Sequence, residues 1–154
     1  MKVYSIMDFF ELKSISLQEA MLKHGLSEYI NVQKLLGKKV PAKRILICDE
    51  NLFCDMDFNT DYKDGFENIW NKFYGLIVTG NFYINGDLIN HASDKSFFLL
   101  TEGHLHAHNA YFGMGRFFIE GKLLVRYLIL ENGNDGLVNI SGETIAKLIL
   151  LINT

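Results

Sequence analysis

The sequence predicts a mainly β chain: a short parallel β-helix of roughly four to five coils with an N-terminal helical cap. Three observations predict this fold. A glycine-centred repeat of about 20 residues runs through the last half of the chain. Aromatic residues are abundant and proline is scarce, with 12 Phe, 7 Tyr and 1 Pro in 154 residues, which suits ordered strands. Helix start and stop signals are confined to the first third.

The repeat is anchored on a glycine that follows a polar residue and precedes alternating apolar positions. The four glycines are Gly80, Gly103, Gly121 and Gly142. The residues two places beyond them are Phe82, Leu105, Leu123 and Thr144, and those eight places beyond are Leu88, Tyr111, Ile129 and Leu150. This alternation predicts strands with every second side chain inside. Because one coil cannot bury its apolar side alone, stacked coils are expected to form a continuous core.

A weaker copy of the repeat precedes these four, with Glu50 in the glycine position. It places Cys48 and Cys54 on the inward side, which predicts buried thiols rather than a disulfide framework or a metal pair. The longer gap before Gly80 predicts an insertion over about 61–73. The β-helix is therefore expected over 42–154.

Residues 1–41 are expected to form a helical cap or packing layer that belongs to the same structural unit. Ser16 and Glu19 make a capping box, and Gly25 gives a stop signal. A second helix is predicted over 27–36 from the spacing of its apolar residues.

One outward column of the repeat is largely apolar, which usually means that something packs on it. Its members are Tyr83, His106, Leu124 and Ile145. Packing of the N-terminal helices on this column is the first expectation, and a partner surface is the alternative.

Charge is distributed unevenly along the chain. The formal net charge is −3, without the basic excess of a nucleic-acid-binding protein. Asp49 to Glu67 carries a run of acids against Lys63 alone, and such a run attracts cationic surfaces. With the aromatic flank, the predicted partner-binding residues are Asp49, Glu50, Asp55, Asp57, Asp61, Asp64, Glu67, Trp70, Phe73 and Tyr74. A solvated loop is the alternative interpretation of this segment.

No motif nominates a catalytic group or a cofactor site, so neither is predicted. His104, His106 and His108 alternate along one strand, and two histidines so spaced can bind zinc. His104 and His108 would lie about 13 Å apart, too far for one ion, and no good third ligand stands beside them. A metal-binding or enzymatic solenoid built on these histidines is kept as a lesser alternative.

No apolar run approaches the roughly 20 residues of a membrane span, so no membrane partner is expected. Met1 to Phe10 lacks the pattern of a secretory leader. A cytoplasmic location is predicted.

The block from GLIVTGNFYINGDLIN to LVNISGETIAKLILLI resembles small bacterial right-handed β-helix proteins. Small solenoids of this kind are similar to the immunity proteins that accompany polymorphic and contact-dependent inhibition toxins. The resemblance implies a non-catalytic protein that neutralises a cognate toxin, for example a nuclease, by direct binding. The pattern also resembles the polymer-forming bactofilins, which implies self-assembly or a homodimer through the coil ends.

Overall fold

Strands dominate the chain. The computed structural model describes residues 2–5, 7–26, 44–61, 65–91, 97–132 and 136–152. The strands are β1 (Val3–Tyr4), β2 (Lys13–Ser16), β3 (Arg44–Cys48), β4 (Leu52–Cys54), β5 (Phe58–Asn59), β6 (Phe73–Val78), β7 (Phe82–Ile84), β8 (Leu88–Asn90), β9 (Phe98–Thr101), β10 (Leu105–Ala107), β11 (Ala110–Phe112), β12 (Arg116–Ile119), β13 (Leu123–Val125), β14 (Leu128–Asn132), β15 (Leu137–Ile140), β16 (Thr144–Ile145) and β17 (Leu148–Ile152). The helices are a 3-10 turn (Met7–Glu11), α1 (Leu17–His24) and α2 (Glu67–Trp70).

Three sheets wrap around one interior, because from β3 onward every third strand returns to the same sheet. The first sheet has the order β1-β4-β7-β10-β13-β16. The second has the order β17-β14-β11-β8-β5, and the third β15-β12-β9-β6-β3-β2. Among the described strands, all pairings are parallel except that of β2 with β3. The chain is thus a mainly β solenoid, which confirms the predicted class.

The corner glycines stack along the solenoid as the repeat predicts. The Gly103 N–H donates to the Gly80 carbonyl at 3.1 Å, and Gly121 donates to Gly103 at 3.0 Å. A Cβ at Gly103 would lie 2.6 Å from the Gly80 oxygen, so only glycine fits this close backbone approach. The positions two residues beyond pair in register as expected: Phe82, Leu105, Leu123 and Thr144.

The predicted register of the second sheet is wrong by one residue in two coils. Ala110, not Tyr111, pairs with Leu88 and Ile129. Ile129 in turn pairs with Ile149 rather than Leu150. The cause is a corner one residue shorter in these coils, a length that a glycine-anchored alignment does not detect.

The interior is filled by inward residues of all three sheets and by the aromatic rings of Phe66, Trp70 and Phe97. Cys48 and Cys54 are both buried and free, which confirms the inward placement of the weaker copy. Within the predicted insertion, Trp70 stacks on Phe66 at 5.9 Å between ring centroids and meets Phe97 edge-on at 4.7 Å. These rings pack on Phe58 and close the core beside the second sheet.

The N-terminal region is part helix and part strand. Helix α1 is capped as predicted, since the Ser16 side chain accepts the Glu19 N–H and Gly25 adopts the left-handed conformation. The sequence pattern missed β1 and β2, which extend two of the sheets. Ala20 of α1 packs on the outer face of the third sheet, so α1 does not cover the outward column on the first sheet. The second predicted helix, 27–36, lies outside the described residues.

Candidate functional site

The acidic segment occupies successive corners at the N-terminal side of the solenoid. Asp49 and Glu50 follow β3, Asp55 and Asp57 follow β4, and all four are exposed. Asp61 and Glu67 are partly exposed. Asp64 lies outside the described residues.

Three of these acids also hold neighbouring coils together. Asp57 Oδ1 accepts the backbone N–H of Asp87 at 2.8 Å, and the Asp61 carboxylate accepts that of His91 at 2.8 and 3.0 Å. Asp55 accepts the side-chain amide of Asn85 at 2.9 Å. Replacing these acids with residues that lack a side-chain acceptor therefore changes structure as well as charge, whereas Asp49 and Glu50 offer the charge with less structural consequence.

The aromatic flank lies mostly in the interior. Trp70 is fully buried and donates its indole N–H to the Asn59 carbonyl at 2.9 Å. Tyr74 is 7% exposed and Phe73 is half-buried. The exposed acids are thus the part of the predicted set that a partner could reach without rearrangement of the core.

A ladder of polar side chains runs along the corner that precedes the first sheet. Asn51 Oδ1 accepts the N–H of Asn81 at 2.8 Å, and Asn81 Oδ1 accepts that of His104 at 2.7 Å. The next step uses His104 Nδ1, which accepts the Lys122 N–H at 2.9 Å. His104 Nδ1 is thus the acceptor in this contact, and the ring serves the solenoid backbone.

The other two histidines have separate surroundings. His106 stacks on Tyr83 with 4.5 Å between ring centroids, and His108 lies edge-on to Tyr127 at 6.5 Å. Burial, and then the neighbouring His104, lower the pKa of His106 below its ordinary value. Over the described ranges, no group of three or more His, Cys, Asp or Glu side chains is placed to hold a metal ion.

The outer face of the first sheet carries an open groove of about 570 Å³, here called the outer groove. One wall is a column of stacked side chains. The rings of Phe53 and Tyr83 are stacked and nearly parallel, with 4.7 Å between their centroids and an interplanar angle of 7°. His106 continues the stack, and pairing places Val3 before it and Leu124 and Ile145 after it.

The other wall of the outer groove is polar and changes sign along the solenoid. Asp55 stands at its N-terminal end and Arg126 at its C-terminal end. Asn85 and His108 lie between them. The repeat predicts four members of the apolar column but not Phe53 or the acidic start of the polar wall. Assigning outward positions in the weaker copy of the repeat, as in the other four, would have identified Phe53 and Asp55, since Phe53 pairs directly with Tyr83.

The last coil exposes large apolar side chains. Leu148, Ile149, Leu150, Leu151 and Ile152 of β17 are between 43% and 66% exposed. Within the part of the chain that the structure describes, β17 pairs with β14 alone in the second sheet.

Protein-family models, curated proteins and solved structures gave no match to this chain. The resemblance to immunity proteins therefore depends on the sequence pattern alone. In the described segments, every helix is too short or too polar to cross a bilayer.

Proposed function

We propose that the chain is a non-catalytic protein-binding module, an immunity protein that neutralises a cognate bacterial toxin in the cytoplasm. The observation that carries the proposal is the exposed acidic surface formed by Asp49, Glu50, Asp55 and Asp57 on adjacent corners. We further propose that the solenoid that carries these corners is right-handed and has four to five coils and a partly helical cap. The right hand is the one that parallel crossovers favour.

The acidic surface favours a cationic partner. Lys23 is 4.0 Å from Asp49, and at this distance between exposed groups it offsets little of the local charge. Same-sign charges concentrated on one surface accelerate association with an oppositely charged one and disfavour wrong partners. A nuclease domain, which must carry a basic groove to hold nucleic acid, fits such a surface.

The test uses the toxin domain encoded by the reading frame next to that of this chain. Asp49→Asn and Glu50→Gln together remove two charges without touching the hydrogen bonds of Asp55, Asp57 or Asp61. We expect roughly tenfold weaker binding at low salt, mainly through slower association, and loss of protection in a growth assay. Glu120→Gln with Glu143→Gln removes as much charge elsewhere and should leave both readouts unchanged. Unchanged affinity in the Asp49 and Glu50 variant would reject the acidic surface.

Self-assembly is the second candidate, and the exposed apolar strand β17 favours it. Side chains this apolar and this exposed commonly mark an association surface. Sedimentation velocity at rising concentration should then show dimers or larger species, and Leu151→Lys should abolish them. A monomer at every concentration would exclude this function.

A further inference from the structure

We propose that the outer groove binds an extended segment of the partner protein that carries a basic residue and an acidic residue about four positions apart. The inference takes from the proposed function only that the partner is a protein. The chemistry of the segment comes from the two walls of the groove.

The dimensions of the groove suit a short segment better than a folded surface. Strands in a sheet lie about 4.8 Å apart, so the column from Val3 to Ile145 is about 24 Å long. An extended chain rises about 3.4 Å per residue, so roughly seven residues fill this length. A face about three residues wide offers far less than the roughly 800 Å² that each partner buries in a standard interface.

The two walls of the outer groove contact alternate side chains of an extended segment. Alternate side chains of a strand point in opposite directions, so every second residue meets the aromatic column. That column suits apolar partners, because Phe53, Leu124 and Ile145 line it and the rings of Tyr83 and His106 are stacked within it. The intervening residues meet the polar wall.

The polar wall fixes which charges the segment carries. Asp55 and Arg126 belong to corners three strand spacings apart, which is about 14 Å, or about four residues of extended chain. Asp55 also accepts the Asn85 side-chain amide, and the Arg126 guanidinium lies 5.2 Å from the centroid of the Tyr127 ring, but neither has a charged partner among the described ion pairs. A cation opposite Asp55 and an anion opposite Arg126 would match the charges at the two ends. Asn85 and His108, between them, suit an uncharged polar residue.

Synthetic five-residue peptides with blocked ends test this chemistry directly. The matched peptide has the order lysine, valine, threonine, valine, glutamate. Two control peptides keep its centre and carry lysine at both ends or glutamate at both ends. Titration into the 15N-labelled protein should shift the amides of Tyr83, His106 and Leu124, with the matched peptide binding roughly threefold tighter than either control.

Charge exchange in the protein makes the prediction specific. Asp55→Lys leaves both ends positive and should favour the peptide with two glutamates, although it also removes the acceptor of the Asn85 side-chain amide. Arg126→Glu, which removes no side-chain hydrogen bond among the described residues, should favour the peptide with two lysines. The double variant should prefer the matched peptide again, bound in the reverse direction. Leu124→Glu should weaken binding at least tenfold. Leu130→Glu, an outward leucine of the same coil on the second sheet, should not.

Absence of amide shifts at millimolar peptide, or shifts that survive Leu124→Glu, would overturn the outer groove as a binding site. The toxin domain separates this inference from the proposed function. If Asp49→Asn with Glu50→Gln abolishes protection and Leu124→Glu does not, the acidic surface stands and the groove does not serve this partner. The reverse result keeps the groove and rejects the acidic surface.

Discussion

The side-chain oxygen of Asn81 lies 2.7 Å from the backbone nitrogen of His104, one coil further along the solenoid. The same side chain donates its amide to the Tyr83 hydroxyl at 3.1 Å. Asn81 thus links a corner of the backbone to the aromatic column of the outer groove. The same residue therefore contributes to the hydrogen bonds between coils and to the candidate binding surface.

Asn81→Ala should lower the free energy of unfolding by about 1–2 kcal/mol, because a partly buried N–H loses its acceptor. Asn81→Asp keeps an oxygen in the same place and should cost less. Urea denaturation of the two variants measures the difference. Equal loss in both would show that the corner ladder contributes nothing specific.

Substitutions at Asp57 distinguish the contribution of its hydrogen bond from that of its negative charge. Its carboxylate accepts the Asp87 N–H, and an asparagine oxygen can accept the same bond. Asp57→Asn should therefore remain near wild-type stability while Asp57→Ala loses about 1 kcal/mol in urea denaturation. A large loss in the asparagine variant would mean that the negative charge itself stabilises this corner.

Trp70 is the single tryptophan of the chain and reports on the core. Because it is fully buried, its fluorescence should be blue-shifted and poorly quenched by acrylamide, and both properties should reverse on unfolding. Trp70→Ala should cost about 3–5 kcal/mol or prevent folding. Strong quenching in the native protein would place the ring at the surface, as the aromatic-flank interpretation requires.

Because of Cys54, we expect the free energy of unfolding to fall at alkaline pH. Burial raises the pKa of its thiol from 9.0 to about 12. The folded state thus holds the proton more tightly than the unfolded state. The stabilisation is complete below about pH 9 and is lost as the pH rises toward about 12. Urea denaturation of Cys54→Ala should show a smaller fall in stability over this window than wild type, and the native thiol should resist alkylation at pH 8.

Because of His106, we expect the folded state to lose stability as the pH falls, in contrast to the loss at high pH that Cys54 causes. Burial lowers its pKa from the ordinary 6.5, so the folded state resists protonation. Its contribution to stability is present above about pH 6.5 and is lost as the pH falls through the lower folded value. NMR titration should show the His106 ring protonating below 6.5. A ring that protonates above this value would contradict the described packing against Tyr83 and His104.

The solenoid could be predicted from the sequence because its period is local. The corner glycines and the alternating apolar residues recur within each coil, and the structure stacks Gly80, Gly103 and Gly121 accordingly. The one-residue slip at Ala110 could not be predicted, since a corner can lose a residue without changing the alternation that follows. β1 and β2 were missed because two and four residues are too few for any periodicity to be detected.

The candidate site was predictable only in part for a similar reason. A run of acids is visible in the sequence, but which carboxylates bond to the next coil depends on neighbours 30 positions away. Asp57 and Asp61 have that structural role. The sequence predicts Trp70 as a partner-binding residue because it flanks the acidic run, yet its ring fills the interior beside Phe58.

The central claim is that the exposed acidic surface binds a cationic toxin domain. The most direct test is the affinity of that domain for the Asp49→Asn, Glu50→Gln variant, measured at about 50 mM and about 500 mM salt, since salt screens exposed charges. We predict a roughly tenfold loss at the lower salt that largely disappears at the higher salt. Equal affinities of variant and wild type at low salt would contradict the claim.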